Sequence, residues 1–256
     1  MQTVHRSSAE NALRQAWQAV LDLVFPARCA VCRQSGAWLC SRCLAEFPRL
    51  PSPVCQACGR PVPTSQLCHV CRQAPLSIHG IRSVLLFEAG ARHAIHQFKY
   101  SSCRSLATPL AQLMAEYWRM HPLPADVIVP VPLHIARQRE RGYNQADLLA
   151  RALGHMMGLP VLAGALARAR PTRAQVGLSA AERRVNMQGA FASVVLVHRA
   201  APLAGGCAGH NPSVHNQRVL LIDDVCTTGA TLEACSVALQ AAGAASVWGF
   251  TLARAA

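Results

Sequence analysis

The run Val219-Leu220-Leu221-Ile222-Asp223-Asp224-Val225-Cys226-Thr227-Thr228-Gly229-Ala230-Thr231 carries a strand, a turn and a helix start in thirteen residues. The four apolar residues read as a buried strand ending at Asp223 and Asp224. A turn of small and hydroxyl residues follows. Thr231 to Ala242 then reads as a helix closed by Gly243. In an open parallel sheet, ligands bind beyond the carboxyl ends of the strands. A helix N-terminus there offers unpaired N–H groups and a partial positive charge, which suits a phosphate. Thr227, Thr228 and Thr231 add hydroxyl donors, Ala230 is small, and Gly229 lacks the Cβ that would block close approach. The two acids would repel the phosphate. They suit sugar hydroxyls, or Mg²⁺ held through water. Phosphate on one side and diol acceptors on the other spell a ribose 5-phosphate. Each piece alone is common, and Asp and Thr often only cap; the whole string is unusual. It is neither G-x-G-x-x-G nor G-x-x-x-x-G-K-[ST], which argues against a dinucleotide fold or a P-loop.

The flanking chain alternates in the same way. Val84 to Phe87, Val127 to Val129 and Val247 to Leu252 read as strands, and Val161-Leu162 as a short one. Ala91 to Tyr100, Leu106 to Met120 and Gln145 to Met157 read as helices, the last closed by Gly158. Ser179-x-x-Glu182 is a capping box opening a helix to about Gln188, and Phe191 to Val197 is β-rich. Such alternation predicts a mostly parallel sheet covered on both faces. Arg199 to Gln217, rich in Gly, Pro and Ala, reads as a surface loop.

Toward the N-terminus the composition shifts to cysteine. Cys29/Cys32, Cys40/Cys43, Cys55/Cys58 and Cys68/Cys71 form four Cys-x-x-Cys pairs. Two thiolates on one turn share an ion, and two such turns complete a closed tetrahedral site with no open catalytic position. Two structural Zn²⁺ ions are expected. Sequential and crossed pairings of the turns both fit the spacing. So short a segment cannot bury enough surface alone, and metal would supply the missing folding energy. Before it, Ser7-x-x-Glu10 and the apolar residues Leu13, Trp17, Val20, Leu21 and Val24 read as an amphipathic helix ended by Pro26. The expected organisation is therefore a helix over 1–26, a double zinc ribbon over 27–75 and an α/β domain over 76–256.

Composition sets the outer limits. An apolar fraction of 52% allows a core and excludes a mainly disordered chain. No stretch is long and apolar enough to span a membrane, and charges at Glu10, Arg14 and Asp22 argue against a secretory leader. A cytoplasmic protein with reduced thiols is expected. The net charge of +13 calls for anionic company, either nucleic acid or phosphorylated small molecules. Nine arginines face three acids between Arg137 and Arg184. Arg137, Arg139 and Arg141 follow the strand at 127–131 and so face the same crevice as Asp223, where guanidinium groups bind phosphate oxygens bidentately. Arg168 and Arg170 read as a solvated basic face. Aromatics are few at 5%, which argues against an extended base-stacking platform; Tyr100, Trp118 and Tyr143 are the candidates to reach a base.

The 219–231 string resembles the phosphoribosyl pyrophosphate (PRPP) signature of type I phosphoribosyltransferases. Pro130-Val131-Pro132-Leu133-His134 with Arg137, Arg139, Arg141, Gly142, Tyr143, Asn144 and Gln145 resembles a segment of the ComF-type competence proteins. So do Gln175, Gly177, Leu178 and Ser179 with Glu182 and Phe191, the triplet Phe98-Lys99-Tyr100, and the paired cysteines. The resemblance covers about residues 26–254; Cys226 departs from it, standing where an aliphatic residue is more usual. It implies a type I phosphoribosyltransferase-like parallel sheet flanked by helices, preceded by the zinc ribbon. It implies PRPP with Mg²⁺ as ligand, Lys99 as a further phosphate contact, and Arg173 to Ser179 as the loop that closes over the site. By resemblance the protein acts in natural competence, handling single-stranded DNA in the cytoplasm beside DNA-uptake proteins. The alternative is an active PRPP-dependent phosphoribosyltransferase of nucleotide salvage. No residue stands out as a general base and none identifies an acceptor, so both readings stay open at this point.

Overall fold

The computed structural model describes residues 26–64, 66–100, 103–168, 182, 186–187, 189–193 and 213–255. The expected N-terminal helix, the Arg173–Ser179 loop and most of the 199–217 loop lie outside these residues. So does most of the helix expected from Ser179. The chain divides into two compact units between Glu46 and Phe47, so the division falls between the two cysteine quartets. Among the described residues no helix is long and apolar enough to cross a membrane.

In the first unit a tight loop closes through Cys29 N–H donating to Gln34 O (2.8 Å) and Ala30 N–H to Trp38 O (2.9 Å). Helix α1 (Ser41–Ala45) follows and buries only Cys43. It is too short to stand on propensity alone.

The second unit begins with a second cysteine-rich loop and the short helix α2 (His69–Gln73). Its sheet comprises β1 (Gly80–Leu86), β2 (Val127–Pro130), β5 (Arg218–Cys226) and β6 (Ser246–Arg254). The order is β1-β6-β5-β2 and every pairing is parallel. A separate antiparallel pair joins β3 (Leu166–Arg168) to β4 (Phe191–Ser193). The expected parallel α/β sheet flanked by helices is thus present. Val161 adds one parallel bridge to Ile128 rather than a strand of its own.

The helices are α3 (Ala89–Tyr100), α4 (Ala107–Met120, entered through a 3₁₀ turn), α5 (Ile135–Arg141), α6 (Gln145–Met157) and α7 (Ala230–Ala241). Strand alternation sends Val127, Val129, Val219, Leu221 and Val247 to one face, where they cluster with Leu232, Cys235 and Leu239 of α7. The intervening Ile128, Leu220, Ile222 and Phe250 are buried on the other face. There α6 packs on β2 and β5, and the Tyr117 ring of α4 lies 5.8 Å from Phe250. In this core Ser83 Oγ and Thr251 Oγ1 are 2.7 Å apart, and Thr251 Oγ1 also donates to Ala253 O at 3.2 Å.

Two differences from the sequence reading bear on the site. Strand β5 does not end at the acids; it pairs with β6 as far as Cys226, opposite Arg254. Asp223 and Asp224 are therefore ladder residues, held by sheet hydrogen bonds rather than by a turn. Helix α5 was not legible because it buries no residue, so it shows no apolar period. Its ends are nonetheless signed. His134 Nδ1 accepts from Ala136 N–H (3.2 Å), and Gly142 closes it in the left-handed conformation.

At the amino edge of the sheet Arg218 donates to Asp126 through Nε (3.0 Å) and through its backbone N–H (2.9 Å). These bonds hold the Asp126 carboxyl down to about 2. A depressed acid adds stability in full above its unfolded value and loses it as pH falls through the folded one. Both side chains are substantially exposed, so the effect is small. Asp126→Asn should lower the urea midpoint slightly at pH 7, and the gap to wild type should close between about pH 5 and pH 2. A gap unchanged at pH 2 would overturn this assignment.

Candidate functional site

A cavity of about 560 Å³ opens at the carboxyl ends of the strands and the N-terminus of α7. A side chamber of about 180 Å³ shares Asp223, Lys99, Arg137, Arg141 and Thr231 with it. The sheet brings Asp223 and Asp224 here as the last polar residues of β5. Asp223 Oδ1 accepts the backbone N–H of Asp224 at 2.8 Å. Asp224 Oδ1 lies 3.0 Å from Nζ of Lys99, the only lysine of the chain, at the end of α3. That contact sets the Lys99 ammonium against a carboxylate, and Lys99, the candidate phosphate contact, lines both chambers.

Asp223 keeps a partly open edge on the cavity although protein atoms surround it densely. Burial and the neighbouring Asp224 push its carboxyl up to about 7, against the Asp224 N–H and Lys99, which pull it down. The pair accordingly carries less than two full negative charges near neutrality, because two such close carboxylates resist ionising together.

The turn after β5 presents Thr227 to the cavity, with Ala230 and Thr231 beside it. Thr228 Oγ1 accepts from Ala230 N–H at 3.3 Å, across Gly229, which stands at the N-cap of α7. Gly229 is required for a different reason from the expected one. Its φ is +83°, and a Cβ there would fall 2.9 Å from Ile81 Cδ1, in the core rather than in the ligand's path. Cys226 is buried behind the turn, and burial raises its thiol to about 11, so it carries no thiolate.

The arginines separate by geometry. Arg137 and Arg141 line both chambers, on one side of α5. Arg141 lies 4.7 Å over the Tyr100 ring, and its Nη1 donates to Gln145 Oε1 at 3.0 Å; its buried Nε has no partner among the described residues. Arg139 is exposed, and neither chamber includes it. Arg168, expected on a solvated face, lines the cavity instead, with its guanidinium 5.5 Å over Phe191. Tyr143 is not free to meet a ligand. It is buried and donates its hydroxyl to Phe98 O.

The eight paired cysteines fall into two quartets, Cys29/Cys32/Cys40/Cys43 and Cys55/Cys58/Cys68/Cys71. Within each, the sulfurs lie within 4.8 Å of one another. Cys32 and Cys40 Sγ are 3.6 Å apart and Cys58 and Cys68 Sγ 3.8 Å. A tetrahedral ion with bonds of about 2.3 Å requires sulfurs about 3.8 Å apart, so each quartet fits a structural Zn²⁺. Pairing is sequential and the crossed alternative is gone. Burial raises the Cys29 and Cys55 thiols, but amide donors more than offset it and bring both to about 6. For Cys55 one of these donors is the Cys68 N–H at 3.3 Å. Burial and the neighbouring thiols push Cys43 and Cys71 the other way, so Cys29 and Cys55 are the acidic sulfurs of the two quartets.

One contact joins the second quartet to the cavity wall, and no sequence signal pointed to it. Arg254, the last residue of β6, is only 2% exposed. Its Nη1 donates to Cys58 O at 2.6 Å and to Cys226 Sγ at 3.2 Å. Beside it, a Cβ on Gly59 would meet the Ile81 backbone O at 2.2 Å, while the Ile81 side chain lies against Gly229.

The chain matches the double zinc ribbon domain family over residues 20–72. Competence protein F of Haemophilus influenzae is 32% identical over 243 residues, spanning 90% of this chain and 98% of its own. DNA utilization protein YhgH of Salmonella typhi is also 32% identical over 243 residues, spanning 91% and 99%. Among solved structures, glutamine PRPP amidotransferase from B. subtilis aligns with 60% of this chain and 30% of its own at 20% identity, with a TM-score of 0.38.

Proposed function

Since the chain belongs to the ComF-type competence protein family, we propose that its α/β unit binds PRPP with Mg²⁺, or ribose 5-phosphate, and acts in cytoplasmic handling of single-stranded DNA during natural competence. The observation that carries the reading is Asp223 sharing the cavity with the first residues of α7 and with Arg137 and Arg141, while Asp224 lines the side chamber beside the same arginines. The amides of the turn, with Thr227 and Thr231, would take the 5-phosphate. Asp223 would accept the ribose hydroxyls, alone or through hydrated Mg²⁺. Arg137 and Arg141, with Arg168, would hold a pyrophosphate or a nucleic-acid backbone. Lys99 would set the geometry of Asp224 and reach phosphate only by leaving it.

The test is calorimetric titration of PRPP with Mg²⁺ into wild type and into the Asp223→Asn/Asp224→Asn double variant. Losing two charged hydrogen-bond acceptors should cost about 100-fold or more in affinity. Absence of heat with wild type would remove the reading. The same substitution has a second signature. A carboxyl raised above its unfolded pKa destabilises the fold progressively as pH climbs from about 4 to 7. Asp223→Asn should therefore melt higher than wild type without ligand at pH 8, and the two should converge toward pH 4. Equal melting temperatures at pH 8 would sink this part.

The second reading, a phosphoribosyltransferase acting on a free base, draws on the same cavity. It requires pyrophosphate release from PRPP on addition of a nucleobase. Binding of PRPP without turnover would favour the DNA-handling reading.

A further inference from the structure

Beside the carboxylates, the wall of the cavity is aromatic. Phe87, just past β1, and Tyr100, the last residue of α3, both line it. His96 stands between them, one helical turn before Tyr100. The Phe87 and His96 rings are 5.9 Å apart and nearly parallel at 24°. The His96 and Tyr100 rings are 5.8 Å apart and tilted by 48°. Arg92 covers the outer end at 6.0 Å from Phe87, and Arg141 the other end at 4.7 Å from Tyr100. Burial, then Lys99, Arg92 and His93, hold His96 below the usual imidazole range, so it stands as a neutral ring at neutral pH.

This row does not belong to the core. His96 is exposed, and Tyr100 leaves 60% of its surface open although it is one of only three tyrosines in the chain. A ring packed for stability would be covered; this one ends at the cavity mouth. Every nucleobase has a π face, and an aromatic row flanked by guanidinium planes is the surface on which unpaired bases stack.

We propose that Phe87, His96 and Tyr100 form a nucleobase-stacking subsite for single-stranded nucleic acid at the mouth of the cavity. The inference deepens the reading of the cavity as a ribose-phosphate site: the sugar-phosphate would lie toward Asp223 and Thr227, and its base on the Tyr100 ring. Three rings serve one or two bases, not a long platform.

The test uses the full chain and two probes of equal length and charge, a short oligodeoxythymidylate and an abasic deoxyribose-phosphate oligomer. Binding is read by fluorescence anisotropy at fixed salt. Wild type should prefer the base-bearing probe by about 5- to 150-fold for one stacked base. Tyr100→Leu should erase the preference, and Tyr100→Phe should restore it. Comparing probes on each variant cancels any disturbance of Arg141 or of folding, because both act on the shared backbone term. Equal affinity of wild type for both probes overturns the proposal, and so does a preference that survives Tyr100→Leu. If the preference behaves as expected while PRPP gives no heat, the ribose-phosphate reading fails and the stacking subsite stands.

Discussion

Arg254→Ala should cost about 3–5 kcal/mol of folding stability, the range seen when one member of a buried charged contact is deleted. The guanidinium sits at the end of β6 in an interior that admits almost no water. It is always charged, so its burial is tolerated only with compensation. Two neutral acceptors, Cys58 O and Cys226 Sγ, supply the hydrogen bonds. With Zn²⁺ bound, the second quartet would supply the counter-charge, since a divalent zinc held by four thiolates is net negative. Alanine would leave that cluster uncompensated, the Cys58 carbonyl unpaired, and a hole the size of the side chain. Arg254→Lys keeps the charge without the planar fork and should fall between. Urea unfolding of the three proteins, at saturating zinc, measures the order. An alanine variant within about 0.5 kcal/mol of wild type, the range of an ordinary surface change, would show that Arg254 is no clasp.

The second large effect concerns metal. Closed four-sulfur zinc sites contribute about 10–16 kcal/mol of apparent binding energy, and where no preformed apo site exists that energy is folding energy. The two quartets should not yield alike. Cys32 of the first is exposed, whereas Cys55, Cys58 and Cys71 of the second are each at most 5% exposed. A strong chelator should therefore draw two ions per chain in two phases, the first quartet emptying first. Cys43→Ser should lose one zinc and leave the melting of the larger unit nearly unchanged. Cys71→Ser should also lose one zinc, but should melt the larger unit, to which that quartet belongs and to which Arg254 ties it. Release in a single phase, or identical melting of the two variants, would refute the asymmetry. A metal-sensitive dye and circular dichroism read both.

What was legible in the sequence follows from how strongly each feature is signed locally. Helix α6 was read to the residue because both ends carry their own chemistry. Asn144 accepts from Ala146 N–H at 3.1 Å, and Gly158 supplies the left-handed closing residue. The central strands were plain because parallel strands buried on both faces are unbroken apolar runs. Cysteine spacing revealed the quartets, and only three-dimensional proximity could settle their pairing. The features that escaped depend on partners far along the chain. Acids normally mark the end of a buried strand, and only pairing with β6 carries β5 on to Cys226. Arg168 looked solvated because nothing nearby in sequence says that β3 faces the cavity. Arg254 lies 196 positions from Cys58, and no local pattern predicts a bond over that span. The packing of Gly229 against Ile81 in the core lies outside the motif.

The seam between Glu46 and Phe47 bears on how such a chain can be shortened or recombined. Residues 47–75 are tethered to the sheet through Gly59, Ile81 and Arg254, so excising the whole cysteine-rich region would open a wound in the larger unit. The second half of the ribbon should then travel with the strand that ends in arginine.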